Sequence, residues 1–283
     1  MERLDRQALA HENMTYFKSR WNENIVVDFV NDTKMYPKMS REDMSYDSSI
    51  KSSDDNSSII EVVNGDSINV ALEYNKLYEN SCLKSNIAVL NMASDIYPGG
   101  GFLKGSIAQE EALCYRSALY MSLADPYNMS KKRKWKYPIP IFGAIHSPNI
   151  PIIRDSHGNF LEDDKQHSLN FISVSALRNP RLLNDGNHLT SNDVEITKEK
   201  IRTILRVGYL HGHKILILGA FGCGCYRNPS NHVAYLFRCV LDEHEFTCLF
   251  TRIVFAILDI SNTYNYHVFK KYLIERANFD FDS

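Results

Sequence analysis

Asn86 to Tyr120, NIAVLNMASDIYPGGGFLKGSIAQEEALCYRSALY, sets the reading of the whole chain. An apolar run of strand length (86–92) leads to Pro98-Gly99-Gly100-Gly101 and then to Gln109-Glu110-Glu111. In open α/β sheets ligands bind beyond the carboxyl ends of the strands, which makes this turn a candidate site. Three consecutive glycines remove side chains, so the backbone can take unusual angles and a ligand can approach the main chain. A plain flexible loop is the alternative. Ser106 and Gln109 have capping-box spacing, which predicts a helix from Ile107 with both glutamates in its first turns. Two accounts of those acids stand. They complement the helix dipole, or one carboxyl exchanges a proton while its neighbour, turned about 100° around the helix, orients a hydroxyl. A helix N-terminus lowers a carboxylate pKa, so an acid role requires burial or a neighbouring phosphate to raise it again.

Working outward, IIEVVNGDSINVALEYN (59–75) reads as a short strand, a turn at Asn64-Gly65 and a helix beginning near Ser67. Residues 139–154 read as two short extended segments separated by Ser-Pro, followed by a turn at 155–159, and 169–176 as a strand. A helix is predicted over 195–211, where Ile196, Ile201, Ile204, Leu205 and Val207 have helical spacing. Lys214 to Leu218 is a strand core leading to glycines 219, 222 and 224 and a helix from Asn231. A glycine-rich turn between strand and helix exposes N–H groups and can cradle a phosphate. It lacks the Gly-Lys-Ser/Thr of a P-loop and departs from dinucleotide-binding spacing. Residues 251–258 read as a last strand and 264–275 as a closing helix.

With 283 residues and 44% hydrophobic content, the chain can bury a large core. Thirty-two Lys and Arg against 34 Asp and Glu give a net charge of -2, so no global field draws it to nucleic acid or membrane. The charged start MERLDRQALAHEN is unlike a signal peptide, and no apolar run has the length of a membrane span. The expectation is a soluble intracellular monomer, cytoplasmic or nuclear. Residues 1–30 read as a helical packing extension. The serine- and aspartate-rich segment 31–58 has too few aliphatic residues to offset its ordering entropy and reads as a flexible insertion. Six cysteines in apolar or glycine-rich contexts read as buried free thiols; Cys223 and Cys225 form a CxC pair without the second half of a zinc site. His146, His157 and His167 show no metal-ligand spacing. Lys131 to Tyr137, KKRKWKY, is a basic run with interleaved aromatics, either a polyanion contact or a solvated loop.

Asn91 to Ser94, Pro98 to Gly101 and Gln109-Glu110-Glu111 resemble the GGG-x-QEE signature of poly(ADP-ribose) glycohydrolases, and the wider pattern resembles their microbial type. The similarity continues through 147–161, LGAFGCGCYRNP (218–229), 233–237 and 252–259. The resemblance implies a macrodomain-like three-layer α/β/α sandwich with a mixed sheet: 59–283 as the catalytic domain, 1–58 as an N-terminal helical extension with the flexible segment. It implies hydrolysis of ribose–ribose O-glycosidic bonds in poly(ADP-ribose), on free polymer or on ADP-ribosylated protein, without metal or other cofactor and without sequence-specific nucleic-acid binding. Glu111 matches the catalytic acid and Glu110 the glutamate that positions ribose. Gln109, Asn91 and the loop Gly99, Gly100, Gly101 fall on the substrate side, the loop near diphosphate and distal ribose. Gly222, Cys223, Gly224, Cys225 and Tyr226 match the diphosphate-binding loop, with Tyr226 where relatives often carry phenylalanine. Asp66 resembles the acidic residue near adenine. Two alternatives share these loops: a non-catalytic ADP-ribose reader, which does not need a proton donor, and a hydrolase of mono-ADP-ribosylated protein or another ADP-ribose derivative.

Overall fold

A computed structural model describes residues 2–20, 24–44, 58–79, 86–259 and 264–279. In chain order the elements are α1 (Arg3–Ser19), α2 (Asn24–Asp32), β1 (Lys34–Tyr36), β2 (Ile59–Val63), α3 (Ser67–Leu77), β3 (Ile87–Met92), α4 (Gln109–Arg116) and α5 (Leu119–Ala124). They continue as β4 (Ala144–Ile152), β5 (His167–Val174), α6 (Ser191–Leu210), β6 (Ile215–Leu218), α7 (Ser230–Leu241), β7 (Arg252–Ala256) and α8 (Asn265–Leu273). Strands alternate with helices, an α/β fold with both parallel and antiparallel pairing.

Two compact units divide the chain, with the division falling inside β3: Met1–Pro37 with Asn91–Ser175, and Lys38–Leu90 with Ala176–Ser283. In the first, β1, β4 and β5 pair antiparallel, with Lys34 opposite His146 and Ile145 opposite Ser173. The extended stretch of 139–154 is one strand, β4, and not two segments separated at Ser-Pro. It carries a register shift between Ser147 and Ile150, where Pro148 has no N–H to give and Asn149 takes φ 52°. A bulge absorbs such a residue without ending the strand.

In the second unit β3, β6, β7 and β2 pair in parallel, with Ile87 opposite Ile215, Ile215 opposite Arg252, and Ile59 opposite Arg252. Parallel strands covered on both faces read as continuous apolar runs, as ILIL of β6 and IVFA of β7 do. Phe237 meets Phe255 edge to face at 5.0 Å, and Phe255 meets Phe269 at 5.6 Å, so α7, β7 and α8 share one aromatic core. Along α6, the half-buried Arg202 and the buried Arg206 are gripped by Glu199, Glu243 and Glu245.

Part of 31–58 departs from the expected featureless insertion. Residues 34–36 form β1, and Met39 and Met44 are buried, two thioethers giving the segment the apolar anchors that its polar composition conceals. Residues 45–57 lie outside the described residues, as does Cys82. Of the other cysteines, Cys114 is buried, whereas Cys225 and Cys248 are exposed, contrary to the expectation of buried thiols throughout. No helix among the described residues is long and apolar enough to cross a membrane.

Candidate active site

The first unit places Gln109, Glu110 and Glu111 in the first turn of α4, against the end of β3 and the triple glycine. The predicted capping box does not form: α4 starts at Gln109, and its N-cap, Ala108, offers no side-chain hydrogen bond. Tertiary partners take over both residues. Gln109 Oε1 accepts from the Met92 N–H at 2.9 Å, and Ser106 lies against Gly101, its own N–H donating to the Gly101 carbonyl at 3.1 Å.

Both glutamates are buried, 3% and 6% exposed, which an exposed helix start complementing its dipole would not require. Glu110 Oε2 accepts from the Ser94 N–H at 2.7 Å, and its Oε1 accepts from Asn91 Nδ2 at 3.3 Å. Asn91 Nδ2 also donates to Ser173 Oγ at 3.0 Å, so the amide is oriented from two sides. Burial pushes the Glu110 carboxyl up to about 8; the Ser94 and Asn91 donors pull it down and the neighbouring Glu111 pushes it further up. Glu111 is held differently. Its Oε1 accepts from the Gly101 N–H at 2.7 Å, while its Oε2 is buried with no hydrogen-bond partner among the described residues. Asn91 Oδ1 is in the same condition. Buried polar atoms without partners are costly, so the two atoms need a physical account.

The glycines are required by space as well as by backbone angle. Gly100 sits at φ 56°, and a Cβ there would stand 2.5 Å from Glu111 Oε1 and 2.9 Å from Glu110 Oε2. Gly99, at φ 68°, would meet Tyr120 Cδ2 at 2.7 Å. The amides of Gly100 and Gly101 serve internal order, donating to Tyr97 O at 2.9 Å and to Glu111, and the absence of side chains lets the two carboxyls and Ser106 pack directly against the loop.

Packing from outside secures this loop. The Tyr115 hydroxyl lies 3.1 Å from Phe102 O and 2.9 Å from Ser106 O, its single proton serving one at a time. Arg6 Nε donates to Gly105 O at 2.8 Å, and Arg3 Nε to Lys104 O at 3.0 Å, so α1 braces the far side of the glycine turn. Asn13 Nδ2 reaches Cys114 O at 3.2 Å and Tyr115 O at 2.9 Å, satisfying carbonyls at the C-terminal end of α4, and the buried Arg154 Nε holds Asn13 Oδ1 at 2.8 Å. The N-terminal helix is thus a packing element, and the thing it packs is the glutamate-bearing helix.

In the second unit, the turn after β6 carries Gly222 at φ 76°, where a Cβ would meet Asn228 Nδ2 at 2.5 Å and Ala176 Cβ at 2.6 Å. Buried Asn228 donates to Gly222 O at 3.0 Å within the turn and to Leu177 O at 2.7 Å outside it, tying the turn to the segment after β5. The Cys223 N–H is taken up by Ala220 O at 3.0 Å, and burial pushes its thiol up, away from nucleophilic or metal-binding chemistry. Gly224 and Cys225 are exposed at the tip. Tyr226 lies under Arg178, whose Nη2 donates to its hydroxyl at 2.9 Å. Asp66 is the N-cap of α3, its Oδ1 accepting from the Ile68 and Asn69 N–H groups, each at 3.0 Å.

The chain matches the catalytic domain of microbial-type poly(ADP-ribose) glycohydrolase, PARG, over residues 10–155, more than half of its length. It belongs to that family. Among solved structures, the glycohydrolase of Thermomonospora curvata is 27% identical with a TM-score of 0.75, covering 94% of this chain and 98% of that one. The same enzyme bound to the inhibitor ADP-HPD is 25% identical at a TM-score of 0.72, with the same coverage. That of Deinococcus radiodurans in complex with ADP-ribose is 28% identical at 0.66, covering 89% of this chain and 97% of the other. Comparison with curated proteins returned no match.

Against that family frame, the residues read from the motif fall into two groups. Asn91, Gly99, Gly100, Gly101, Gln109, Glu110 and Glu111 are brought together in the first unit; Asp66 and Gly222 to Tyr226 belong to the second. Ser94, Ser173, Tyr115, Asn13, Arg154, Arg178 and Asn228 went unread, since each acts through a main-chain atom or a partner distant in sequence. Ser94, Tyr115, Arg154 and Asn228 lie within stretches 91–94, 86–120, 147–161 and 218–229, which carried a local signal, whereas Asn13, Ser173 and Arg178 carried none. Among the described residues no set of three His, Cys, Asp or Glu side chains is placed to hold a metal ion.

Proposed function

We infer that the protein is a poly(ADP-ribose) glycohydrolase that hydrolyses the ribose–ribose O-glycosidic bond and releases ADP-ribose. The observation that carries this reading is the asymmetry of Glu111: one oxygen is fixed by the Gly101 N–H, while the other is buried and has no hydrogen-bond partner among the described residues, with Gly100 packed against the carboxyl. Glu111 protonates the departing ribose oxygen as the bond from the anomeric carbon breaks, and charge develops on the ring as an oxocarbenium ion. The resulting carboxylate takes a proton from water, whose oxygen adds to the anomeric carbon. The net change is one water consumed and one bond cleaved.

Glu110 orients the ribose hydroxyls. Burial pushes the Glu110 carboxyl up to about 8, so at neutral pH it keeps a proton and can donate as well as accept a hydrogen bond toward those hydroxyls. The loop from Gly222 to Tyr226 takes the diphosphate, with Tyr226 lying against a ribose, and Asp66 lies toward the adenine.

The test is Glu111→Gln assayed on polymer and, separately, on mono-ADP-ribosylated protein. The expected result is release of ADP-ribose from polymer by the wild type and a fall of about 10²–10⁴ in kcat for the variant, with its fold unchanged by circular dichroism. Wild-type rates in a folded Glu111→Gln protein would overturn the assignment. Activity confined to mono-modified protein would replace the polymer as substrate.

A further inference from the structure

The basic run Lys131 to Lys136, KKRKWK, places five positive charges in six residues of a chain whose net charge is -2, and the chemistry above does not use them. The structure sorts these residues by alternation. Arg133, Trp135 and Tyr137 are half-buried, whereas Lys132, Lys134 and Lys136 are exposed, together with Lys131. Burial alternates along the run, so Lys132, Lys134 and Lys136 share its solvent side and form a local row of positive charge.

The inner residues are pinned. The Arg133 guanidinium lies 4.1 Å from the centroid of the Trp135 ring and donates to the Leu123 carbonyl at 3.0 Å and to that of Ser122. Trp135 Nε1 donates to Thr33 O at 3.3 Å. At the start of the run, the N–H groups of Lys132 and Arg133 both point to Ser130 Oγ, at 3.3 and 2.9 Å. Just beyond its end, the Ile139 N–H donates to Asp95 O at 2.8 Å; the residue before Asp95 is Ser94, whose N–H holds Glu110. The row is therefore mounted on a stiff strap whose end is tied beside the carboxylates. One carboxylate, Asp32, stands 3.9 Å from Lys132, an exposed and weak pair.

We propose that Lys132, Lys134 and Lys136 form a secondary binding surface for the diphosphates of polymer units next to the one being cleaved. This rests on the glycohydrolase reading and deepens it. The substrate carries a diphosphate in every unit, and lysine ammonium groups bind phosphate as point charges on flexible stems, which suits successive phosphates without fixed register. The protein has no overall positive field, so attraction of a polyanion falls to a local row of this kind.

The experiment compares the full-length protein with Lys132→Gln/Lys134→Gln/Lys136→Gln on long polymer and on a two-unit oligomer over a range of salt concentrations. The expected result for the triple variant is a KM for long polymer raised about tenfold, kcat unchanged, and two-unit kinetics within about twofold of wild type. The slope of log kcat/KM against log salt on long polymer should shrink by about two, at about 0.7 per lost contact to a single strand. Unchanged KM on polymer, or an equal loss on both lengths, overturns the proposal. Polymer binding is measured in parallel by anisotropy. If the wild type cleaves neither substrate yet the triple variant binds polymer more weakly, the lysine surface stands and the glycohydrolase reading fails. If single-stranded poly(A) displaces polymer with equal affinity through the same lysines, the surface is a nucleic-acid site and the proposal falls.

Discussion

Arg178 holds Tyr226 by its face and by its tip: the guanidinium carbon lies 4.6 Å from the ring centroid, and Nη2 donates to the phenolic oxygen at 2.9 Å. The neighbouring Asn179 N–H also donates to Tyr226 O at 2.9 Å, so side chain and main chain of this residue are both set by the segment 178–179. If the ring lies against a ribose, Arg178 fixes its angle. Arg178→Ala should raise KM about five- to tenfold with little change in Tm, because an exposed cation–aromatic contact adds only about 0.5–1 kcal/mol to stability. Tyr226→Phe, which keeps the ring and loses the hydroxyl, should show a smaller rise. Steady-state kinetics and thermal melts of both variants check this.

Gly100 tolerates no side chain. Gly100→Ala must hold φ 56° while a methyl stands 2.5 Å from Glu111 Oε1, so the carboxyl proposed as proton donor has to move. The strain costs about 1–2 kcal/mol of stability, and a displaced proton donor costs about 10²-fold in kcat. Melting temperature and single-turnover cleavage separate the two losses.

Glu110 makes stability depend on pH. Its carboxyl is raised by burial from 4.5 to about 8 in the folded protein, so between those values the native state keeps a proton that the unfolded chain has lost. The stabilisation is fully present below about pH 4.5 and is lost as pH rises to about 8, by at most about 5 kcal/mol at 1.36 kcal/mol per unit. Urea unfolding at intervals from pH 5 to 8 should show the unfolding free energy falling, and Glu110→Gln should flatten that slope. An unchanged slope in the variant would assign the pH dependence to other groups.

Asn13 links α1, α4 and Arg154. Asn13→Ala leaves the Cys114 and Tyr115 carbonyls and the Arg154 Nε without their partner, and should lower stability by about 1–3 kcal/mol. Because α4 carries both glutamates, kcat should fall with it. Denaturant melts together with kcat measurements test the coupling; a destabilised variant of normal kcat would show that α4 keeps its place without this cap.

Apolar runs at 87–92, 215–218 and 252–256 were legible because strand burial is written in contiguous residues, whereas 59–63, read as a buried strand, is only partly covered, with Ile59 exposed; glycine turns follow two of these runs. The carboxyl pair was legible as a motif, its purpose less so. Ser106 and Gln109 have the right local spacing for a capping box, yet Gln109 instead receives the Met92 N–H, a partner 17 residues away. The strand through Ser147-Pro148 was hidden because proline's local veto is overruled by a bulge against β5. β1 was hidden because three residues are too few to show a period.

The sequence by itself determined the apolar strands β3, β6 and β7 and the helices α3, α6 and α7, the glycines, and the presence of Glu110 beside Glu111, all properties of neighbouring residues. Only the tertiary structure decided what distinguishes the two acids. Glu110 is enclosed, doubly hydrogen-bonded and lifted to about 8; Glu111 has one oxygen anchored and one left without a partner. That difference is a matter of desolvation and of N–H groups delivered from Ser94 and Gly101, and both arise when the chain closes on itself.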